Sequence, residues 1–249
     1  MKMEKITNFK EVSPLVLKYF KRGVLTNNFL GTEDYKAEIE EEGLFYEAGE
    51  EWLNLYVKRD GFFQLYFYAL SENAAFPEVQ GTLIADVVGE GTKVMENNGF
   101  EKILERIKLE VNTEKEPIEA GIRSEKTDAE EIFAIMKKTF DPYTGFAPNF
   151  AQVSKECEAG LYYKHMEEGK IAGVLRLGKS GKTAQIKHLC VLEEYSGKGI
   201  GKKLTKAFLD ENPKAIVWTG KENAAALHLY KSLGFCESET ESIVYRKSV

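Results

Sequence analysis

The chain has 249 residues, of which 43% are hydrophobic and 30% are charged. This composition is typical of a soluble globular protein with room for two domains, and it excludes collagen-like, disordered and disulfide-rich chains. No stretch approaches ~18 uncharged apolar residues, and the first residues lead into no apolar run. We therefore expect no membrane-spanning helix, no membrane partner, no secretory signal and a cytoplasmic location.

The net charge of −6 is unevenly distributed, because residues 1–115 carry 14 Lys and Arg against 21 Asp and Glu. Neither half has the basic excess that nucleic-acid binding requires, so no nucleic-acid partner is expected. The three cysteines (Cys157, Cys190 and Cys236) form no CxxC pair, and the three histidines lack metal-ligand spacing. The sequence thus predicts unpaired thiols in a reducing compartment and no metal site.

The first half is predicted to contain two helices, then strands, a short helix and a last strand. The helices are expected at 11–20 and 33–42, the strands at 44–46, 52–57, 62–70 and 82–88, the short helix at 91–98 and the last strand at 103–111. Between residues 70 and 81 there is no glycine-rich turn and no room for a helix of normal length.

The second half begins with a predicted strand at 118–123 and a helix with Asp128 as N-cap and Glu131 in the capping-box position. Residues 141–149 contain two prolines and a glycine, which indicate a loop before a helix at 150–158. Strands are expected at 161–167, 171–177 and 184–192, separated by turns at 168–170 and 178–182.

A glycine-rich run then opens a helix that Pro213 ends, and a strand follows at 215–219. Asn223 is expected to cap the next helix, Gly234 to end it in the left-handed conformation, and residues 243–246 to form a strand. The order β-α-α-β-β-β-α-β-α-β predicts an α/β domain at 116–249, preceded by a second domain at 1–115.

The glycine-rich run reads Tyr195-Ser-Gly-Lys-Gly-Ile-Gly-Lys-Lys-Leu204. A glycine turn between a strand and a helix makes an anion site, since the first N–H groups of a helix have no intrahelical partner and carry the positive end of its dipole. A Walker A loop is disfavoured because Ser196 stands at its first glycine position and Lys203 at its Ser/Thr position. The dinucleotide fingerprint also fails at its last glycine.

Residues 191–204 resemble motif A of the GCN5-related N-acetyltransferases (GNAT), whose pattern is Arg/Gln-x-x-Gly-x-Gly/Ala, although Ser196 stands at the Arg/Gln position. Residues 223–235, from Asn223 through Tyr230 to a Gly-Phe ending, resemble motif B. The resemblance implies an α/β (α+β) GNAT fold, with a mixed, mostly antiparallel sheet flanked by helices. The first half, which also has a Gly-Phe ending at 99–100, is similar to a degenerate copy without the glycine loop, giving two tandem domains. An unrelated α+β domain is the alternative for this half.

In that family an acetyl group passes from acetyl-CoA to an amine, so the resemblance implies an N-acetyltransferase that acts by direct attack in a ternary complex. The amine would be a small molecule or a peptide, and the protein a monomer or homodimer. Tyr230 would be the general acid for the CoA sulfur. The residues implied in acetyl-CoA binding are Leu189, Cys190, Val191, Ser196, Gly197, Lys198, Gly199, Ile200, Gly201, Lys202 and Asn223.

The general base is open at this point. His188 titrates near neutral pH in its ordinary state, but it alternates with Ile186 and Cys190, a pattern that places its side chain in the core. Glu193 and Glu194 are expected in solvent, and a water relay is an equal alternative. Two other functions also stay open: a non-catalytic acyl-CoA sensor, and a transferase for a bulkier acyl-CoA.

Overall fold

The computed structural model describes residues 3–113 and 121–249. The chain forms two compact units, Met1–Glu105 with Thr240–Val249, and Arg106–Glu239. The division predicted between residues 115 and 116 falls within 114–120, outside the described residues, as does the first half of the predicted strand at 118–123. In the described part of that strand, Arg123 forms an isolated bridge with Tyr163.

Apart from the predicted strand at 118–123, the predicted helices and strands occur in the predicted order, and the chain adds two short strands, Glu4–Lys5 and Leu25–Thr26, that were not predicted. The α-helices are α1 (Phe9–Tyr19), α2 (Thr32–Glu40), α3 (Thr92–Asn97), α4 (Ala129–Thr139), α5 (Phe150–Glu158), α6 (Ile200–Glu211) and α7 (Ala224–Lys231). The strands are β1 (Glu4–Lys5), β2 (Leu25–Thr26), β3 (Leu44–Ala48), β4 (Trp52–Arg59), β5 (Phe62–Ala69), β6 (Thr82–Val88), β7 (Glu101–Asn112), β8 (Tyr162–Glu167), β9 (Lys170–Ser180), β10 (Thr183–Val191), β11 (Lys214–Gly220) and β12 (Cys236–Ser248).

The first unit is built on strands in the order β1-β3-β4-β5-β6-β12. Neighbours are antiparallel except β5 and β6, which run parallel. Side chains along β4 alternate between the two faces. Leu53 and Leu55 are fully buried among residues of α1 and α2, whereas Trp52 and Tyr56 pack with Val94 of α3. The segment at 71–81 contains no helix, as predicted.

The second unit is built on strands in the order β7-β11-β10-β9-β8, in which only the β10–β11 pair is parallel. Leu204 and Phe208 of α6 and Tyr230 of α7 are buried on one face. Ile132 of α4 and Val153 of α5 are buried on the other. The sheets of both units are mostly antiparallel and flanked by helices, which confirms the predicted fold class.

Asp128 stands at the N-cap position of α4, as predicted, but the predicted side-chain capping is wrong. The carboxylate of Asp128 does not cap that helix; it accepts hydrogen bonds from the backbone N–H of Glu125 at 2.7 Å and from Lys164 Nζ at 2.7 and 2.9 Å. Glu131 instead accepts the N–H of Ile171 at 2.9 Å. A lysine that is distant in sequence thus competes with the helix N-terminus for Asp128, and sequence spacing alone does not reveal it.

The turn predicted at 178–182 is shorter in the structure, since β9 continues to Ser180 and β10 begins at Thr183. A Cβ atom on Gly178 would lie only 2.5 Å from Cγ of Lys187. Glycine is therefore needed within the strand because a neighbouring lysine side chain crosses it, and not because the chain reverses there.

Candidate functional site

Strands β10 and β11 separate soon after they begin. They are paired at Ala184, Gln185 and Ile186 with residues 215–217, whereas β10 continues along β9 as far as Val191. Because the N–H of Leu192 donates to Ala172 of β9, the alternation of a strand turns the backbone groups of Leu189 and Val191 towards β11. We call the resulting opening the β10–β11 gap. It offers backbone donors and acceptors to an extended ligand.

Cys190 differs from its two neighbours. It lies opposite Val174 in the β9–β10 register, so its backbone groups face β9. Its side chain is buried with Ile132 and Val153 on the α4–α5 face, and burial raises the pKa of the thiol to about 11. Of the predicted run at 189–191, Leu189 and Val191 are thus the two residues whose backbone faces the gap.

The glycine loop, residues 196–202, follows β10 and leads into α6. Gly197 and Gly199 adopt the left-handed conformation, with φ of +76° and +75°, which glycine adopts without a steric penalty. The N–H of Lys203 is the first of the helix to find an intrahelical acceptor, the carbonyl of Gly199 at 3.0 Å. In the part of the chain that the structure describes, no acceptor is found for the N–H groups of residues 197–202. These amides lie at the N-terminus of a 12-residue helix, where N–H groups without acceptors favour an anion.

Cationic side chains surround this loop. Lys198, Lys202 and Lys203 are all exposed, and the ammonium group of Lys198 lies 4.9 Å from the centroid of the Tyr195 ring. The exposed hydroxyl of Ser196 replaces a longer cationic or amide side chain. The positive field at this loop therefore comes from backbone amides and lysines.

Helix α7 lies beyond the end of β11. Asn223 caps it as predicted, with Oδ1 accepting the N–H of Ala226 at 3.1 Å. Tyr230, seven residues later, is 4% exposed and packs against Phe235 with ring centroids 5.3 Å apart. Burial raises the pKa of Tyr230, so its phenol carries its proton at every physiological pH.

His188 lies just after a β-bulge. The register of β10 against β9 shifts between Ile186 and His188, so the simple alternation expected from the sequence is interrupted at this point. Ile186 packs on the α6–α7 face, whereas Cys190 packs on the α4–α5 face. The bulge thus turns the side chain of His188 towards the loop at 141–149, where Nε2 lies 2.7 Å from the carbonyl oxygen of Gly145.

The imidazole of His188 is neutral. Burial, with a smaller contribution from the Arg176 guanidinium, lowers its pKa to about 4. Since a carbonyl oxygen can only accept, Nε2 carries the proton and donates it to Gly145. Among the described residues, the buried Nδ1 has no hydrogen-bond partner.

The loop at 141–149 is held by a second side chain, a cationic one, which the sequence did not suggest. Arg106 of β7 donates to the carbonyl of Thr144, and its guanidinium lies 5.3 Å from the centroid of the Phe146 ring. Asp141 fixes the same loop by accepting the N–H groups of Tyr143 and Thr144, each at 2.9 Å. Arg106 precedes the loop by more than thirty residues, and no local pattern links the two.

Comparison with known proteins gives the family of this unit. Residues 129–235 match the model of the acetyltransferase (GNAT) family. These residues form a GNAT acetyltransferase domain. The match contains the β10–β11 gap, the glycine loop and α7, so the two motifs recognised in the sequence lie inside a domain of the expected family. The family match supports an acyltransferase, and GNAT acetyltransferases use acetyl-CoA.

Solved structures extend the likeness to the whole chain at the level of fold. An acetyltransferase of the GNAT family from Colwellia psychrerythraea is 15% identical, with a TM-score of 0.58 and all of both chains covered. A GCN5-related N-acetyltransferase from Sphaerobacter thermophilus is 15% identical, with a TM-score of 0.57, covering 88% of this chain and 86% of the other. A Drosophila protein is 13% identical, with a TM-score of 0.61 and coverages of 99% and 98%. No curated protein matches the chain.

The GNAT domain accommodates the predicted site residues in two groups. The glycine loop and the backbone of Leu189 and Val191 lie along the gap, whereas Tyr230 lies in the packed core and His188 contacts the loop at 141–149. Glu193 and Glu194 are exposed, as expected. Of the helices in residues 3–113 and 121–249, none combines the length and apolar character of a membrane-spanning segment.

Proposed function

We propose that the protein transfers the acetyl group of acetyl-CoA to a primary amine by direct attack in a ternary complex. The observation that carries this proposal is the row of N–H groups without acceptors at residues 197–202, next to the open edge of β10. The N–H groups at 197–202 suit a diphosphate, since a diphosphate accepts many hydrogen bonds. The open edge of β10 suits an arm that contains amides, since such an arm can pair with it as a strand does.

In this proposal the residues divide the ligand between them. Ser196, Gly197, Lys198, Gly199, Ile200, Gly201 and Lys202 hold the pyrophosphate, mainly through backbone N–H groups. The backbone of Leu189 and Val191 pairs with the pantetheine arm, and Cys190 keeps these two residues in register by facing β9. Asn223 reaches the same arm through its amide nitrogen, because Oδ1 is engaged as the helix cap.

The reaction needs a proton to leave the amine and a proton to reach sulfur. The neutral amine nitrogen attacks the thioester carbonyl carbon, the C–S bond breaks, and the electron pair stays on sulfur. Burial keeps the phenol of Tyr230 protonated before the reaction. Tyr230 gives this proton to the thiolate and regains one from the water that takes up the amine proton.

We assign the amine proton to water and not to His188. An imidazole whose pKa is about 4 is a weak base at neutral pH, and its unprotonated nitrogen, Nδ1, is buried. His188 acts instead as a positioning residue for the loop at 141–149, which carries Tyr143 and Phe146 and forms a wall for the acceptor.

The competing function is a non-catalytic acyl-CoA sensor. It is favoured by the core position of Tyr230 and the engaged imidazole of His188, which leave no exposed acid–base pair at the gap. Free thiol release from acetyl-CoA, measured across a panel of amines, separates the two functions. Turnover supports the transferase, whereas binding without turnover, unchanged in Tyr230→Phe, supports the sensor. The same assay with longer acyl-CoA molecules tests the bulkier donor.

A further inference from the structure

The two units have a similar order of elements around their parallel strand pair, except that α6, which joins the third and fourth strands of the second unit, has no counterpart between β5 and β6. In each, two helices precede three antiparallel strands, the third of these strands pairs in parallel with a fourth, and a helix follows. By this order β5 corresponds to β10 and β6 to β11. The parallel pairing is short in both units, limited to Phe63 and Gln64 with residues 83 and 84 in the first.

The corresponding β5–β6 gap is filled by the chain itself. Strand β2, which lies between α1 and α2, pairs antiparallel with β5, with Leu25 opposite Ala69 and Thr26 opposite Tyr68. Thr26 Oγ1 also donates to the carbonyl of Phe67 at 2.5 Å. We call residues 25–27 the inserted segment.

Asn27 connects the two separated strands. Its Nδ2 donates to the carbonyl of Leu65 on β5 at 2.9 Å and to that of Asp86 on β6 at 3.2 Å. Its Oδ1 accepts the N–H of Phe67 at 2.8 Å. The side chain is 1% exposed, so one buried amide satisfies three backbone groups that the separation of β5 and β6 would leave unpaired.

The segment that joins the first two helices lies in a different place in each unit. In the GNAT domain, the loop at 141–149 between α4 and α5 is held by His188 and Arg106, and no residue of it pairs with Leu189 or Val191 among the described residues. In the first unit, the corresponding connection enters the gap as a strand. The 71–81 segment follows β5 as the glycine loop follows β10, but its one glycine is the last residue, Gly81. Phe76 of this segment packs against Phe67 at a centroid distance of 5.6 Å.

We propose that the inserted segment occupies in the first unit the place that the acyl-CoA arm takes in the GNAT domain, so that the chain binds a single acyl-CoA. The geometry points to this because the inserted segment and the acyl-CoA arm would both be extended. The segment pairs with the edge of β5 that faces β6, and the arm would pair with the edge of β10 that faces β11. The stoichiometry, but not the closure of the β5–β6 gap, rests on the proposed function.

Titration calorimetry and amide hydrogen exchange on the full chain with CoA test both parts. We expect one CoA per chain, protection of the Phe67 amide before any CoA is added, and new protection at Leu189 and Val191 only with CoA. Two CoA molecules per chain, an unprotected Phe67 amide in the free protein, or CoA-dependent protection at residues 65–69 would each overturn the inference. If no CoA binds at all, the proposed function fails, and the Phe67 amide alone decides whether the gap is closed.

A pair of variants provides a second measurement. Asn27→Ala removes all three buried hydrogen bonds, whereas Asn97→Ala removes one exposed bond to the carbonyl of Glu72. We expect Asn27→Ala to speed exchange of the Phe67 amide about tenfold or more and Asn97→Ala to leave it unchanged, with CoA stoichiometry unaltered in both. Equal exchange rates in the two variants would contradict the role of Asn27. If Asn27→Ala does not fold, exchange in the unaltered chain still decides.

Discussion

The Nε2 atom of His188 lies 2.7 Å from the carbonyl oxygen of Gly145, and this contact joins the bulge in β10 to the loop at 141–149. The ring of Phe140 packs against the same imidazole with centroids 4.7 Å apart. The histidine is thereby enclosed and neutral, which has a measurable consequence for stability.

We expect His188 to make the protein less stable in mild acid. Its folded-state pKa of about 4 lies below the unfolded value near 6.5, so the unfolded chain takes up the proton first. The stabilisation is present above pH 6.5 and is lost as the pH falls to 4, by about 3 kcal/mol. Urea unfolding at pH 7 and pH 4.5 measures it, and His188→Gln should lack this component. The same pH dependence in both proteins would show that His188 titrates normally.

Gly145 should not tolerate a side chain. A Cβ atom there would lie 2.6 Å from Cβ of Phe140 and 2.7 Å from the carbonyl oxygen of Asp141. Gly145→Ala is expected to cost about 1–3 kcal/mol of unfolding free energy and to displace the loop that covers His188. Water then reaches the imidazole and its pKa rises in an NMR titration, because burial lowers the pKa by more than the hydrogen bond to Gly145 raises it. Gly31→Ala is the control, since its nearest neighbour would be 3.4 Å away. An unchanged imidazole pKa in Gly145→Ala would contradict the coupling.

In the glycine loop, we expect an alanine substitution to weaken CoA binding in addition to lowering the stability of the fold. Gly199 and Gly181 both have positive φ, at +75° and +59°, and a Cβ atom on either would meet nothing within 4 Å. Each alanine variant should therefore lose about 1 kcal/mol of stability through backbone strain alone. Only Gly199→Ala should also weaken CoA binding, by about tenfold or more, because reorienting the loop removes donors from the anion. Calorimetry showing the same CoA affinity for both variants would remove Gly199 from the binding site.

Tyr230→Phe tests the proposed acid. Removing one hydroxyl should lower the rate of the chemical step by ~10²-fold while leaving CoA affinity close to that of the wild type. Tyr163→Phe is the control and should leave the rate of the chemical step unchanged. Tyr163 is also buried, but its hydroxyl accepts hydrogen bonds from Arg123 and Asn212. Single-turnover kinetics are the appropriate measurement. A rate that is unchanged in Tyr230→Phe would leave Tyr230 with a packing role only.

Local signals predicted most of the elements. The helix Phe150–Glu158 and the strand Thr82–Val88 lie within the predicted bounds, and Asn223 caps α7 as its position suggested. These features depend on neighbours a few residues apart, so periodicity and capping chemistry are sufficient to find them. The glycine loop is visible for the same reason.

Features that depend on distant partners were missed. Strand β2 has two residues and therefore no periodicity, and Asn27 is recognisable only through the strands that it joins. The bulge at Lys187 arises from the pairing of β10 with β9, and Arg106 meets its loop only in the folded unit. Each of these residues lies at the candidate site or its counterpart, where tertiary contacts outweigh local preference.

The composition of the units also bears on how the protein folds as it is synthesised. The first unit includes Thr240–Val249, whose strand pairs with β6 from Ser242 to Ser248, and the second begins at Arg106. A ribosome that has released residues 1–105 has therefore not yet supplied one strand of the first unit, which must wait with the edge of β6 uncovered until residues 240–249 emerge. The first unit therefore cannot complete its fold before the second unit has been synthesised. Pairing of residues 240–249 with β6 joins parts of the chain that are far apart in sequence, so this last step should be slow.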